Sequence, residues 1–381
     1  MTQVFSNKMI ENTSTTNKAK AVALYSGGLD STLAILVMLR QGIDVVALTF
    51  LTHFGCDISD RSSCSQNPFI AAEQFGFTVK LCHLADKFIE MVKNPKFGYG
   101  KNMNPCIDCR ILMLKEAKEF MKRINAQFVI TGEVLNQRPM SQRKEVFQII
   151  DKEAGLEGYV LRPLTALNLK PTIPEQMGLV KRELLYGFKG RSRKPQMALA
   201  EEFGLKDYPT PAGGCLLTDP IYSYRLKDLL EHKPNVSVKD INLLRVGRHF
   251  RVSKTCKVIV GRNEKENEIL RSVASDEDFI LEVEGYKGPT TLICGNPTNE
   301  EIKLAASICA RYSDAKKMPF VEVAVFKDNQ KFKITATALS DSLLSELRIE
   351  PKPKNKEVKL VDCATSSPTD CKEDLKWLKR S

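Results

Sequence analysis

The stretch that most limits what this chain can become is AKAVALYSGGLDSTLAILVMLRQG, residues 19–42. Residues 20–25 suit a buried strand, residues 32–40 suit a helix, and Gly42 ends it. Between them Ser26, Gly27, Gly28, Asp30 and Ser31 compress the connection into one tight turn. A strand that feeds a helix through such a turn aims unpaired backbone N–H groups, and the positive end of the helix dipole, at one place. That place suits an anion, and glycine lets the backbone come close to it. The turn has no Lys in Walker spacing and no G-x-G-x-x-G, so neither familiar phosphate loop describes it. What remains is S-G-G-x-D-S. Its hydroxyls and amides can take a pyrophosphate, with Asp30 holding Mg²⁺ against it. The plain alternative is a capped glycine turn.

Strand-like runs recur at DVVALTF (44–50), TVKLCHL (78–84) and QFVITGE (127–133), with helix-like PFIAAEQFG and CRILMLKEAKEFMKRI between them. Strands alternating with helices predict an α/β fold, a doubly wound parallel sheet of Rossmann-like type, followed by a smaller C-terminal α+β domain. Ligands of such sheets sit beyond the carboxyl ends of the strands. Ser26–Ser31, Thr49–Phe50 and Thr131–Glu133 are therefore expected around one crevice.

NPCIDCR puts Cys106 and Cys109 in C-x-x-C spacing at the start of a helix, where thiolates form more easily. That suits metal ligation and nucleophilic work alike. Cys215 follows in PTPAGGCLLTDP, whose Pro and Gly neighbours predict a rigid, exposed loop. A structural zinc competes for the pair and would want further donors, for which His53, Cys56 and Cys64 are loosely spaced candidates. Asp108, between the pair, is a candidate general base, while Cys82, Cys294 and Cys309 read as ordinary core cysteines. Eleven cysteines without an apolar N-terminal run fit a cytoplasmic setting rather than a disulfide framework. No apolar run approaches the ~18 residues of a membrane span, so no membrane partner is expected.

With S-G-G-x-D-S on its strand–helix turn, the chain resembles the PP-loop ATP pyrophosphatase superfamily over residues 19–220. That resemblance implies ATP and Mg²⁺ as cofactors, cleavage between the α and β phosphates, and an adenylated substrate. TGEVLNQRPMSQ (131–142) resembles the TGE…Q…SQ segment of the tRNA 4-thiouridine synthase family, with one extra residue before SQ. By that resemblance Leu24, Tyr25, Thr49, Phe50, Arg110, Gly132 and Gln142 join Ser26, Gly27, Gly28, Asp30 and Ser31 as ATP contacts. Cys106, Cys109 and Cys215 look like the three-cysteine set of iron–sulfur-dependent tRNA thiolases, which implies a [4Fe–4S] cluster with one open iron. The rival chemistry uses one cysteine as a persulfide carrier and another to resolve it; Asp30, Cys109 and Cys215 are the catalytic candidates.

The function so implied is a tRNA sulfurtransferase: a uridine carbonyl is adenylated with ATP and its oxygen is replaced by sulfur drawn from a cysteine desulfurase or inorganic sulfide. A PP-loop ligase acting on another nucleoside or a small molecule stays open, as does an ATP-sensing RNA- or ribosome-associated protein. A homodimer stays open as well.

The formal net charge is +11, from 57 Lys and Arg against 46 Asp and Glu, which favours a polyanionic partner. VKRELLYGFKGRSRKP (180–195) is densely basic, and Arg191, Arg193 and Lys194 are candidate RNA contacts near the crevice. Residues 1–18 read as a polar, mobile tail, too short for the RNA-binding module that precedes this domain in the family, so the tRNA is expected to be held elsewhere. Between Arg245 and Arg262 there are six Lys or Arg and no acid. The segment FRVS…KVIVGRNEKENEIL resembles the RNA-binding domain of the NFACT family over residues 246–328, making Arg248, Arg251, Lys254, Lys257 and Arg262 candidate RNA contacts. The expected divisions are thus 1–18, a PP-loop domain over 19–185, a helical basic segment with the third cysteine over 186–245, an RNA-binding domain over 246–328 and a Lys-rich tail over 329–381. Cys363 and Cys371 in that tail have no functional account.

Overall fold

The computed structural model describes residues 18–54, 67–209, 215–328 and 330–351. Cys56, Cys64, Cys363, Cys371, both terminal tails and the loop just before Cys215 lie outside the described residues.

The first sheet contains β1 (Lys20–Leu24), β2 (Asp44–Leu51), β3 (Thr78–His83), β4 (Phe128–Thr131) and β5 (Val160–Leu161) in the order β3-β2-β1-β4-β5. Every pairing is parallel. Its helices are α1 (Leu29–Arg40), α2 (Phe69–Phe75), α3 (Ala85–Lys93), α4 (Cys106–Arg123), α5 (Lys144–Glu153), α6 (Ile173–Gln176) and α7 (Lys194–Glu202). The period-2 alternation of β1 splits the core. Ala21 and Ala23 face α1, α2 and α7. Val22 and Leu24 face α4 and α5. Helices therefore cover both faces, as a continuously apolar parallel strand requires. The chain leaves β1 for β2 on one side and returns to β4 on the other. This reversal opens a crevice at the carboxyl ends of β1 and β4, where the turns after both strands meet.

The chain then forms α8 (Pro220–His232) and α9 (Val238–Leu243). Asp219 starts α8 by accepting from Tyr222 N at 2.7 Å, and Ser237 with Asp240 builds a capping box on α9. A second sheet follows, of β6 (Arg248–Arg251), β7 (Lys257–Val260), β8 (Phe279–Val283), β9 (Thr291–Cys294), β10 (Val321–Lys327) and β11 (Gln330–Ala336). Its order is β11-β10-β8-β9-β7-β6 and its pairings are antiparallel. α11 (Asn299–Arg311) packs on one face, while α10 (Glu264–Val273) and α9 cover part of the other.

The α/β sheet followed by an α+β unit is the expected architecture. One boundary differs: the second sheet runs past residue 328. β11 pairs with β10 over its whole length, and α12 (Asp341–Leu347) returns Leu344 to the same core. The lysines that read as a solvated tail, Lys331 and Lys333, alternate along β11 and pair with Glu284. Replacing buried Leu344 with Ala should therefore destabilise the protein by about 2 kcal/mol, read from urea unfolding, whereas a residue in a loose tail would leave the midpoint unmoved.

Candidate active site

The site is built on the turn after β1. Leu24 and Tyr25 are buried in opposite cores, so their side chains do not face the crevice and only their backbone can meet a ligand there. Tyr25 instead packs edge-on against Phe77 with ring centroids 5.5 Å apart. Gly27 takes φ 71°, the left-handed region that only glycine enters without strain. Gly28 then starts α1 from an extended conformation with no side-chain cap, leaving the helix N-terminus open. The loop is braced from within. Ser31 Oγ donates to Gly28 O at 2.9 Å, Thr32 Oγ1 donates to the same carbonyl at 3.0 Å, and Ser26 N donates to Ser31 Oγ at 3.3 Å. Thr49 and Phe50 stand at the carboxyl end of β2; Thr49 is buried with its hydroxyl unpaired, and Phe50 is half-buried.

The turn after β4 presses on this loop. A methyl group on Gly132 would lie 2.5 Å from Ser31 N and 2.6 Å from the Asp30 carbonyl oxygen, so only glycine fits. Beyond it, residues 134–142 fold back on themselves: Gln142 Oε1 accepts from Arg138 N at 3.0 Å, and Gln142 is buried. That fold delivers Gln137, whose Nε2 donates to Asp30 Oδ2 at 3.0 Å. Asp30 Oδ1 is buried and has no hydrogen-bond partner. Burial pushes the Asp30 carboxyl above the usual carboxylate range, and Gln137, Arg193, Arg138 and Gln196 partly offset this.

Under the crevice runs a buried ionic chain. Glu133 accepts from Arg162 Nε at 3.1 Å and sits 3.3 Å from Arg110 Nε. Arg162 reaches on to Asp151 with two bonds, at 2.9 and 2.7 Å, and lies 4.0 Å over the Phe147 ring. Arg110 is thereby fixed next to Cys109.

Cys106 and Cys109 occupy the first turn of α4. Cys215, half-buried, packs with Cys109 in the cluster beneath α8, so it is a packed residue rather than an exposed one. Burial pushes the Cys109 thiol up to about 12; Arg110 opposes the shift, while Cys215 and Cys106 add to it. Burial also raises Cys106, opposed by Arg138 and Arg110. Among the described residues no three His, Cys, Asp or Glu side chains come together as a metal site. Of the further zinc donors expected for the pair, Cys56 and Cys64 lie outside the described residues. Asp108 is not a free base either: its two oxygens accept from Lys96 N at 2.8 Å and Phe97 N at 3.1 Å and so hold the preceding loop. Burial raises the thiols of Cys82, Cys294 and Cys309, but only Cys309 is fully buried; Cys82 and Cys294 are half-buried, not core as expected.

The basic residues divide. Arg191 and Lys194 are exposed, whereas half-buried Arg193 turns toward Asp30. In the second sheet Lys254 and Arg262 are exposed, Arg262 being paired to Glu266. Arg248 donates to Gly261 O at 3.3 Å and lies 4.6 Å over the Tyr312 ring. Arg251 and Lys257 correct the sequence reading. Arg251 grips Asp228 of α8 through two bonds at 2.9 and 2.6 Å. Lys257 is buried 3.9 Å from the same carboxylate, and burial pulls its ammonium down to about 8. Both cations hold α8 and are not surface phosphate contacts. Gln137, Arg138, Arg162 and Gln196 were not singled out by sequence; only the Q of the TGE…Q…SQ pattern pointed into their neighbourhood.

The first unit is thus a doubly wound parallel sheet of Rossmann-like type with the S-G-G-x-D-S turn at its switch point, followed by an antiparallel-sheet domain. Residues 16–175 match the family described as thiamine biosynthesis protein (ThiI), and residues 247–348 match the NFACT protein RNA binding domain. A probable tRNA sulfurtransferase of Thermococcus kodakarensis is 28% identical over 151 residues, covering 40% of this chain and 38% of that protein. The bifunctional protein NifU/MnmA of Rubrobacter xylanophilus is 29% identical over 167 residues, 40% of this chain and 32% of that one. A tRNA-specific 2-thiouridylase MnmA 2 of Thermoanaerobacter sp. is 28% identical over 219 residues, covering 53% and 56%. The chain thus spans between about a third and just over half of these relatives' lengths. Among the described residues no helix is long and apolar enough to cross a membrane.

Gly132→Ala should weaken nucleotide binding by at least about tenfold, measured by calorimetry, because its methyl group would push the Asp30–Ser31 peptide out of place. Because the Cys109 thiol is raised, it is protonated through neutral pH. Its alkylation by iodoacetamide should be more than about tenfold slower than that of an ordinary thiol at pH 8 and should climb with pH through 9, as read by peptide mass spectrometry.

Proposed function

We propose that this protein is a cytoplasmic, ATP-dependent tRNA sulfurtransferase that adenylates a uridine carbonyl and exchanges its oxygen for sulfur. The observation that supports this reading is that the charge of Arg138 acts on both Asp30 of the S-G-G-x-D-S turn and Cys106 of the C-x-x-C helix. A nucleotide site alone would fit many ligases. A nucleotide site beside paired cysteines fits transfer of sulfur to an activated carbon.

In this reading the amides of Gly27 and Gly28 and the start of α1 receive the phosphates of ATP, with Ser26 alongside. Ser31 supports the loop through its bond to Gly28 O. Asp30, buried with Oδ1 free of hydrogen bonds, suits Mg²⁺, which would supply charge neutralisation for the leaving pyrophosphate. Gln137 fixes the orientation of that carboxylate. Thr49, Phe50, Gly132 and Gln142 shape the nucleotide pocket, and Arg110, held by Glu133, faces the reacting centre. The uridine oxygen attacks the α-phosphate and pyrophosphate leaves. A persulfide on Cys109 or Cys215 then attacks the activated carbon and AMP departs. The other cysteine releases the thiolated base by attacking the carrier sulfur, and the resulting disulfide is reduced by a thiol. A cysteine desulfurase would furnish the sulfur by passing its persulfide sulfur to the carrier thiolate; inorganic sulfide would do so only by opening the disulfide left by the previous turnover. The NFACT-like sheet, with Arg248, Lys254 and Arg262, would hold tRNA, and Arg191 and Lys194 would guide it toward the crevice.

The decisive experiment is mass spectrometry of tRNA nucleosides from a deletion strain, complemented with wild type or variants. Loss of a thiolated uridine, restored by wild type and not by Asp30→Ala or Cys109→Ser, is expected. Asp30→Ala should lower tRNA-dependent pyrophosphate release at least about 100-fold without unfolding the chain. An unchanged nucleoside profile would overturn the assignment. Stoichiometric iron in anaerobically purified protein, lost in Cys109→Ala, would move the sulfur chemistry from the relay to a cluster.

A further inference from the structure

The second sheet has two unlike ends. Its register sets the starts of β6, β9 and β10 beside the ends of β7 and β8: Arg248 lies opposite Val260, Val260 opposite Thr291, and Val283 opposite Val323. The other end carries Asp276, Glu277 and Asp278 before β8, and Glu300 and Glu301 in the first turn of α11. At the first end two loops emerge, residues 285–290 between β8 and β9 and residues 312–320 between α11 and β10. Their charged side chains are Lys287, Lys316 and Lys317 against Asp314 alone. All three lysines are exposed and, among the described residues, none is in an ion pair. Arg248 and Arg262 stand at the same end, whereas Lys254 lies in the turn at the opposite one. Among these lysines come Tyr286, 46% exposed, and Phe320, 64% exposed. Glu284 N donates to Glu322 O at 2.9 Å, and each ring lies two residues beyond that bond on adjacent strands. The loops beneath them are fixed. Asp314 N donates to Lys287 O at 2.9 Å and Met318 N to Ala315 O at 2.9 Å, while buried Ser313 Oγ donates to Ala310 O at 2.8 Å and accepts from Ala315 N at 3.2 Å. One exposed aromatic is ordinary surface. Two on ordered loops, interleaved with uncommitted lysines, match a polyanion whose bases are unstacked. A duplex offers no free base face to a ring, and an apolar protein surface offers nothing to the lysines.

We propose that this end of the second sheet is a platform for unpaired nucleotides of an RNA, with bases stacked on Tyr286 and Phe320 and the phosphates between them taken by Lys287, Lys316 and Lys317. This rests on the reading of the second domain as the part that holds tRNA, and it adds which part of an RNA is gripped there. Arg248 and Arg262 extend the same surface toward β6, so a strand leaving the platform meets a continued basic edge. Stacking accepts any base, so the platform reads the absence of pairing and not the sequence.

The full-length chain, as wild type, Tyr286→Ala, Phe320→Ala, Phe320→Tyr and a variant carrying both Lys316→Gln and Lys317→Gln, would be compared by fluorescence anisotropy across a salt series. The probes are a short labelled oligouridylate, a blunt RNA duplex of the same length and bulk tRNA, with melting temperatures recorded in parallel. Tyr286→Ala and Phe320→Ala should each weaken the single strand about tenfold while leaving the duplex, the salt slope and the melting temperature unchanged, and Phe320→Tyr should restore binding. The lysine variant should weaken both probes and lower the salt slope by about one. Wild-type affinity for the single strand in both alanine variants would overturn the platform and, with tRNA still bound, leave the RNA reading of the domain standing. Equal losses on single strand and duplex would also overturn it. So would alanine variants that bind RNA normally but no longer retain a protein captured by the wild type, which would assign the surface to a protein. A wild-type chain that binds neither tRNA nor oligouridylate would overturn the platform and the RNA reading together.

Discussion

The contact on which the rest depends is the approach of Gly132 to the peptide between Asp30 and Ser31. Two strands of a parallel sheet end side by side, and their outgoing turns must share one small space. A Cβ at residue 132 would occupy it. With glycine there, the loop after β4 lies flat on the Ser26–Ser31 turn and brings Gln137 to Asp30. The same loop sends Arg138 toward Cys106. The Asp30 turn and the loop that carries Arg138 are therefore held together because two backbones touch.

The ionic chain Arg110–Glu133–Arg162–Asp151 stands behind that contact. A buried carboxylate between two guanidinium groups is costly to break, because removing one member strands the others. Its effect is on geometry: it fixes Arg110 next to Cys109 and ties β4 to α5. Neither arginine would keep its orientation in a mobile surface pair.

Local chemistry was legible in the sequence and three-dimensional partnering was not. The turn at Ser26–Ser31, the alternation of strands and helices and the C-x-x-C helix start all follow from residues adjacent in the chain. The roles of Gln196, Gln137 and Arg162 depend on contacts 29 to more than 100 residues away, as in the 107-residue separation of Gln137 from Asp30. Lys257 shows the opposite error. Its place in a basic run made it a candidate RNA contact, but β7 is fully buried and its lysine meets Asp228 from α8. Cys109 shows why position on a helix does not settle reactivity: the helix start favours the thiolate, and enclosure by Met113, Cys215 and the α8 cluster outweighs it.

α8 has two sides with different tasks. Tyr222, Leu226 and Leu229 roof the cluster that contains Cys109 and Cys215. On the same helix, Arg225 donates to the Leu244 and Gly247 carbonyls, and Asp228 receives Arg251 from the second sheet. No cut between these halves is therefore clean. A fragment ending near residue 245 would keep Asp228 and Arg225 but lose their partners at Arg251, Lys257 and Gly247. A fragment starting there would keep the cations and lose the carboxylate. The two domains are adjacent in sequence and share a wall, and whoever dissects this protein inherits a raw edge on whichever piece is kept.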